Sequence, residues 1–429
     1  MLHSLSTPAT PTSSWHAFRT YWTGAFVSMI GDSFTLVALP VAAYAIDRSP
    51  ILVGLVDMME ILSGILFGSL LGVLADRSDA RVVMWVSDLV RAGLLAVLAL
   101  LAYFEAGSAW TILVVAFALG VFRAFHDGGE SSLLAVIVPP DHELQAFARL
   151  NVADSTGRLI GPFVGGLAIE LGIWVAFGID AATFTLAAIA VILLPRTRQQ
   201  RQARAKSLAE RPAASAATLR SDFTAALAAM RARPTYLVLV GIGAFANLAG
   251  LTMAGLFVPF AVDVLHLRSV GFGFGALLAL VGCGGLAANW FVNRQTHHDP
   301  RAAGLSGLPV AATVVLAGAV PSLVTSVIAM LTSGAGIAYF QANYSAYRQR
   351  VFPAEMLGRV AMVTRTIFYT TMMVGFLTGG VIAESVGPDR MMMIFGGVSM
   401  AGILAIGFIP IDRDPDVGRR PSVPAGGAA

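Results

Sequence analysis

The sequence predicts an all-α polytopic membrane protein, with about twelve membrane-spanning helices in two pseudo-symmetric halves of six. Three observations carry that expectation. Only 12% of the 429 residues are charged, against 56% hydrophobic, and the mean hydropathy is +0.76; a soluble domain needs about a quarter of its residues charged to face water. The apolar residues fall in long runs, such as 112–119 and 186–194, inside spans of roughly 20 residues, the length that crosses about 30 Å of hydrocarbon. The short alternating segments of a membrane barrel do not occur. Basic residues then fall on alternate loops. Of the 28 Lys and Arg, Arg48, Arg268 and Arg390 lie in loops opposite the N-terminus, Arg91, Arg123, Arg158 and Arg365 lie within spans, and all others lie on the N-terminal side. The positive-inside rule makes that side cytoplasmic.

Residues 1–19 are polar and precede a span too long for a signal-peptide core, so an uncleaved cytoplasmic N-terminus is expected. The first span, 20–46, holds Asp32 near its middle. The second, 51–75, holds Asp57 and Glu60 in its outer half, three residues apart and so on one helix face. Span 83–104 carries Asp88 and Arg91, span 108–131 carries Arg123, His126, Asp127 and Glu130, span 147–170 carries Asp154 and Arg158, and span 173–195 carries Asp180. A polar, basic stretch over 196–235 (Arg196, Arg198, Arg201, Arg204, Lys206, Arg211, Arg220, Arg231, Arg233) separates an N-terminal bundle, 1–195, from a C-terminal bundle, 236–411. The second half reads as spans 236–261, 271–293, 303–321, 322–347, 358–383 and 389–411, followed by a disordered cytoplasmic tail, 412–429. Cys283, the single cysteine, rules out an intrachain disulfide. Asp76-Arg77 after the second span corresponds to Asn293-Arg294 after the eighth, and 140–144 to 353–357, landmarks that suggest parallel repeats.

Gly72-Val73-Leu74-Ala75-Asp76-Arg77-Ser78-Asp79-Ala80-Arg81 resembles the signature loop between helices 2 and 3 of the major facilitator superfamily. Gly157-Arg158-Leu159-Ile160-Gly161-Pro162-Phe163-Val164-Gly165-Gly166 resembles that superfamily's antiporter motif in helix 5. With the loop, Ser87-Asp88-Leu89-Val90-Arg91-Ala92 resembles its macrolide- and siderophore-efflux branch. The resemblance implies that Asp76 helps hold an outward-facing state closed on the cytoplasmic side. Physically, Asp76 would cap the N-terminus of span 11, with Arg77 and Arg81 pairing with Asp127 or Glu130; the alternative is ordinary topology-setting loop charge. The span 5 glycines allow a close helix approach and Pro162 bends the helix. The resemblance associates them with exporters and with packing against the other half, against a plain alternative of small-residue packing. Ala148 replaces the family's upstream glycine. Span 4 half fits the proton-transfer motif: Arg123 and Gly129 match, but His126, Asp127 and Glu130 stand where glutamine and small residues are usual. Arg123 is therefore either a coupling residue or part of a local ion-pair network.

A charge at mid-bilayer costs at least about 2.5–3.5 kcal/mol, so each needs a partner or a task. Low-dielectric surroundings favour a neutral carboxyl, and neighbouring carboxylates reinforce this, which suits proton exchange near neutral pH. Asp32, Asp57 and Glu60 are the candidates for proton or substrate binding, against structural hydrogen bonds; Glu60, a departure from the efflux branch, would contact a cationic or hydroxylated substrate. Asp88 with Arg91 and Asp154 with Arg158 have the spacing of local ion pairs, while Asp180 and Arg365 are left unassigned. Tyr339, Gln341 and Asn343 are candidates to line a cavity, with helix–helix hydrogen bonding as the alternative.

The only lysine, Lys206, follows Ala205, so no phosphate-binding Gly-Lys-Ser/Thr loop exists and ATP-driven pumping by this chain is excluded. Neither HExxH nor GxSxG occurs, which argues against an enzyme, and His297-His298-Asp299 reads as a solvated loop rather than a metal site. The expectation is a secondary active transporter of the inner membrane, a monomer with no cofactor and no nucleic-acid partner, driven by a proton gradient. Export of a small amphiphilic or cationic molecule by antiport leads; proton-coupled uptake is second, and an intramembrane enzyme is remote.

Overall fold

Apolar runs closed by short polar turns become fifteen α-helices in the computed structural model, which describes residues 11–138, 142–194, 216–295 and 300–407. In order they are α1 (Pro11–Asp47), α2 (Pro50–Arg77), α3 (Ala80–Tyr103), α4 (Ala109–Ile137), α5 (Glu143–Leu171), α6 (Ile173–Ile192), α7 (Ala216–Arg231), α8 (Pro234–Gly255), α9 (Phe257–Asp263), α10 (Val270–Val292), α11 (Pro300–Leu305), α12 (Gly307–Ala319), α13 (Leu323–Val351), α14 (Ala354–Val386) and α15 (Pro388–Gly407). Among the described residues there is no strand. Ten helices are long and apolar enough to cross a membrane, and α7 with α8, bent by 105° at their junction, makes up to eleven. The twelfth expected span is α5, 29 residues long, whose Asp154 and Arg158 make it less apolar.

Each predicted span falls on a helix, with two differences in detail. The span expected over 236–261 breaks at Leu256 into α8 and α9, and a short α11 precedes α12. Part of the stretch expected to be a polar linker, 196–235, is helical: α7 buries Ala226 and Met230, four residues apart, in a cluster with Tyr236, Tyr347 and Phe352. Residues 195–215, the tail 412–429 and His297-His298-Asp299 lie outside the described residues.

Local chemistry sets the turns. Ser49, Asp79 and Ser108 each accept a backbone N–H at the start of α2, α3 and α4, from Leu52, Arg81 and Thr111 at 3.3, 3.1 and 3.2 Å. Ser322 and Thr325 form a reciprocal capping box on α13. Gly172 (φ 136°) and Gly387 (φ 101°) turn the chain between α5 and α6 and between α14 and α15 with backbone angles that favour glycine.

Within the first half α1 packs on α5 and α6, α2 on α4, and α3 on α4 and α6; within the second, α10 packs on α13 and α12 on α15. The two halves meet chiefly through α2 with α14 and α5 with α10. These contacts run from one end of the bundle to mid-helix, where a Cβ at Gly282 of α10 would stand 3.2 Å from Leu159 Cα of α5; that end carries the α1–α2, α5–α6 and α14–α15 connections and is here the turn end. There Ser49 Oγ donates to Glu384 Oε2 at 2.7 Å, Phe272 N to Glu170 Oε1 at 3.0 Å, and the Tyr44 hydroxyl to Asp263. A side chain at Gly380 would stand 2.9 Å from Ile51 Cα. Toward the opposite end, which carries the α2–α3 loop and α7, a Cβ at Gly64, Gly68 or Gly358 would meet nothing within 4 Å. The halves are closed at the turn end and apart at the linker end.

Candidate functional site

The gap between the halves is a cavity of about 760 Å³ reaching from the linker end to mid-bundle. Helical periodicity puts Asp57, Glu60, Gly64 and Gly68 of α2 on one wall, with Arg123 and Asp127 of α4 beside them. The second half contributes Met362, Arg365, Tyr369, Met372 and Phe376 from α14. Asp57 is at the closed floor: its Oδ2 is buried, accepts no hydrogen bond, and lies so close to Gly255 that any side chain there would strike it and the Phe376 ring. Glu60 and Arg123 form an ion pair at 3.3 Å, their side chains 37% and 48% exposed. Across the cavity the Arg365 guanidinium sits over the Tyr369 ring, 5.0 Å from its centroid, a cation–π contact. Among the described residues no carboxylate pairs with Arg365.

The floor and walls thus offer an acid with one unpartnered oxygen, a breakable ion pair, a guanidinium stacked on a tyrosine, three aromatic rings (Phe274, Tyr369 and Phe376) and two methionines. Such surroundings suit a molecule with an apolar body and a charged group. Asp57, expected nearer the outer surface, is at the bottom of the cavity, where it meets Gly255 and lies beside Phe376 of α14.

Asp32 occupies a different place. It accepts a hydrogen bond from the Arg91 guanidinium, which also lies 3.8 Å from the centroid of the Phe184 ring. Arg91 therefore does not neutralise Asp88 one turn earlier on its own helix, as the spacing suggested; it crosses to α1, where an acid and an aromatic face both meet it. Asp88 instead lies 3.4 Å from His126 Nε2. These groups line a smaller pocket of about 210 Å³ within the first half, whose wall shares Arg123 and Asp127 with the large cavity. Asp154 and Arg158 pair at 2.9 Å, as their spacing predicts. Asp180 is fully buried and accepts from the Thr35 hydroxyl and from Thr183 Oγ1 at 3.1 Å, a structural role.

Arg81 of the signature loop donates to the carbonyls of Val191 and Ile192 at 3.2 and 2.7 Å, placing its charge at the C-terminus of α6, where a cation is favourable. Glu130 accepts from the Tyr21 hydroxyl, and Asp127 Oδ1 lies 3.9 Å from His126 Nδ1. Gly72, Asp76 and Arg77 belong to the last turns of α2, and their side chains lie outside the described residues. The N-terminus of α14, the helix that Asp76 was expected to cap, has no side-chain cap at Pro353; in the next turn Arg359 pairs with Asp222 of α7 at 3.2 Å.

The glycines of α5 serve two neighbours. Gly157, Gly161 and Gly165, one turn apart, face α1, where a Cβ would lie 2.9 Å from Met29 O, 3.1 Å from Ile30 O and 3.0 Å from Phe34 Cα respectively. Gly166 faces α10 of the other half, 3.1 Å from Phe272 Cα on the same measure, and the Pro162 carbonyl abuts Gly275. Small residues let both backbones approach. Tyr339, Gln341 and Asn343 do not line the cavity. The Tyr339 hydroxyl accepts from Gln295 Nε2 at 3.3 Å, buried Asn343 donates to the Tyr339 carbonyl at 2.9 Å, and Gln341 is exposed elsewhere, because α13 packs on α10 and α12. The second-half wall is α14 instead; its sequence signal was Arg365 inside a span with Tyr369 one turn on.

Two six-helix sets around a polar cavity that is closed at one end define a membrane transporter. The profile of the Major Facilitator Superfamily matches residues 21–375, and the chain belongs to that superfamily. It is a multi-pass membrane protein that carries small molecules rather than an enzyme. Macrolide efflux protein A of Streptococcus pyogenes is 21% identical over 391 residues, covering 88% of this chain and 92% of that one. The multi-drug resistance efflux pump PmrA of Streptococcus pneumoniae is 26% identical over 195 residues, 44% and 47% of the two chains. A crystal structure of a bacterial homolog to the human lysosomal transporter Spinster, in an inward-facing and occupied conformation, superimposes with a TM-score of 0.72 at 14% identity, covering 94% of this chain and 97% of that one.

Proposed function

We propose that the protein exports a small amphiphilic or cationic molecule across the bacterial inner membrane in exchange for protons. The observation that carries this is Asp57: a half-buried carboxylate at the floor of the cavity, one turn from Glu60, whose Oδ2 is buried and has no hydrogen-bond partner. A single carboxyl cannot hold a proton and a cationic group together, so the two compete for one site, which is the requirement of antiport. Efflux relatives and the paired glycine faces of α5 support the outward direction. The distribution of Lys and Arg makes the linker end cytoplasmic, so the open cavity faces the cytoplasm, as in the inward-facing Spinster homolog.

In the cycle, a substrate entering from the cytoplasm places its charged group on Asp57 and Glu60, releasing Arg123 from its pair, and its apolar body against Tyr369, Met372 and Phe376. Rocking of the halves closes the linker end and parts α2 from α14 at the turn end. Protons arriving from outside neutralise the carboxyls and expel the cargo. About 2.3 kcal/mol per charge per 100 mV is available to drive the return. Asp32, held by Arg91, is an auxiliary proton site.

Inside-out vesicles with an imposed inward-acidic gradient test this. A panel of cationic amphiphiles, including a macrolide, is scored for accumulation that collapses with the gradient. Asp57→Asn and Glu60→Gln each remove a carboxylate that holds both the cationic group and the proton, so each should abolish gradient-driven accumulation and weaken gradient-free exchange of labelled substrate. Full gradient-driven accumulation in both variants and in Asp32→Asn would refute the coupling assignment, and accumulation only in right-side-out vesicles would reverse the direction.

A further inference from the structure

Off the transport cavity, the 210 Å³ pocket gathers a second set of ionisable groups. His126 and Glu130 of α4 are one turn apart and share a face, with Asp127 beside them. One ring nitrogen of His126 and one oxygen from each carboxylate lie within 4.8 Å of one another. Asp88 approaches from α3. Its side chain is 2% exposed, neither oxygen accepts a hydrogen bond, and Oδ1 is 3.4 Å from His126 Nε2.

The neighbouring cations are already engaged: Arg91 with Asp32, Arg123 with Glu60, Arg158 with Asp154. Among the described residues no Lys or Arg nitrogen lies within 4 Å of Asp88, Asp127 or Glu130. Three carboxylates in a half-buried pocket, one of them desolvated and without a donor, need positive charge.

We propose that this pocket binds a divalent first-row transition metal ion, with His126 Nδ1, Asp127 and Glu130 as its ligands and Asp88 behind the imidazole. The donor set decides the class, since an imidazole with carboxylates suits Zn²⁺, Co²⁺ or Mn²⁺ better than an all-oxygen site would. Nδ1 is 3.9 Å from Asp127 Oδ1; bonds of about 2.1 Å set tetrahedral ligands about 3.4 Å apart, so a small side-chain adjustment closes the site. Asp88 Oδ1 then accepts Nε2–H, the carboxylate–histidine–metal arrangement that fixes the tautomer. Tyr21 donates to Glu130 Oε1 and leaves Oε2 for the ion. Asp127, 58% exposed and shared with the large cavity wall, gives the ion its way in. The ion would tie α4 to α1 and α3 independently of any transported molecule.

Chelator-stripped full-length protein in detergent is titrated with Co²⁺ and followed by ligand-field absorption and calorimetry, with Zn²⁺ as competitor. Saturable Co²⁺ binding displaced by Zn²⁺ is expected. His126→Gln and Glu130→Gln should each weaken it by about a hundredfold or more, Asp88→Asn by about 10–100-fold, and His142→Gln should leave it unchanged. Size-exclusion profiles identify any variant that fails to fold; Glu130→Gln and Asp88→Asn keep the question open to refutation if His126→Gln does. No saturable binding to the stripped protein overturns the proposal. So does binding that survives in the folded pocket variants or is lost in His142→Gln.

Discussion

Replacing Gly380 by alanine should push the resting protein toward a state open at the turn end. The methyl would stand 2.9 Å from both Ile51 Cα and Pro50 O, at least about 0.6 Å inside the optimal separation of non-bonded carbons. Both opposing atoms are backbone in the first turn of α2, which Ser49 caps and Pro50 stiffens, so they cannot step aside as a side-chain tip would. Overpacking of this kind costs about 1–3 kcal/mol. Position 380 is on α14 and Ile51 on α2, so parting the halves removes the whole cost, while the unfolded chain gains nothing comparable. The ratio of turn-end-open to turn-end-closed molecules should therefore rise about 5–150-fold. Spin labels on exposed Arg48→Cys and Arg390→Cys, in a Cys283→Ser background, report the separation by pulsed electron resonance. Gly397→Ala, whose methyl meets nothing within 4 Å, is the control. A distance distribution for Gly380→Ala that matches the control, in protein that still folds, would show that the α2–α14 contact does not set the conformational balance.

Three further outcomes follow from the same geometry. Tyr44→Phe and Ser49→Ala each remove one hydrogen bond between the halves, to Asp263 and Glu384, and should each raise the turn-end-open population about two- to tenfold, read by the same label pair. Arg91→Leu leaves Asp32 unpaired in a pocket that already holds Asp88, Asp127 and Glu130; with Asp32 one-third exposed the loss should be near 3 kcal/mol, the lower end for a broken buried pair, seen as a fall in melting temperature that Asp32→Asn partly restores. Glu60→Gln breaks a pair that is more than a third exposed on both sides, so stability should change by less than about 1 kcal/mol while transport falls, a split measured by thermal denaturation beside vesicle flux.

Helix order was legible because each span repeats one physical requirement, a run of apolar residues long enough for hydrocarbon, and because basic residues recur on alternate loops. The α5 glycines were legible for a related reason: a residue without a side chain inside a span marks a close approach, and the structure shows α1 on one face and α10 on the other. Helix α7 was missed since its two buried residues, Ala226 and Met230, are thinly spaced among charges. The ion pairs show where spacing stops being informative. Asp154 and Arg158 pair as i and i+4 residues should, with nothing nearer to choose. Arg91 has an equally placed acid in Asp88 and takes Asp32 from another helix, because a guanidinium is long enough to reach across and Phe184 receives its face.

The cavity divides along the same line. Its first-half wall announces itself through Asp57, Glu60 and Arg123, since charge in hydrocarbon is conspicuous. Its second-half wall announces itself only through Arg365; Met362, Tyr369, Met372 and Phe376 are residues that any lipid-facing helix carries, and the packing of α14 on α2 tells which face they share. The polar run on α13 misled for the complementary reason: the Tyr339 hydroxyl accepts from Gln295, just beyond α10, and the Asn343 amide donates to the Tyr339 carbonyl of its own helix, so neither is left for a cavity. This division assigns different work to the two halves. The acids of α2 decide whether a charged group or a proton is held, whereas the rings and thioethers of α14 grip whatever apolar body accompanies the charge and adapt to its shape. Exchanging side chains on α14 should therefore change which molecules are carried, and neutralising α2 should change whether they are driven.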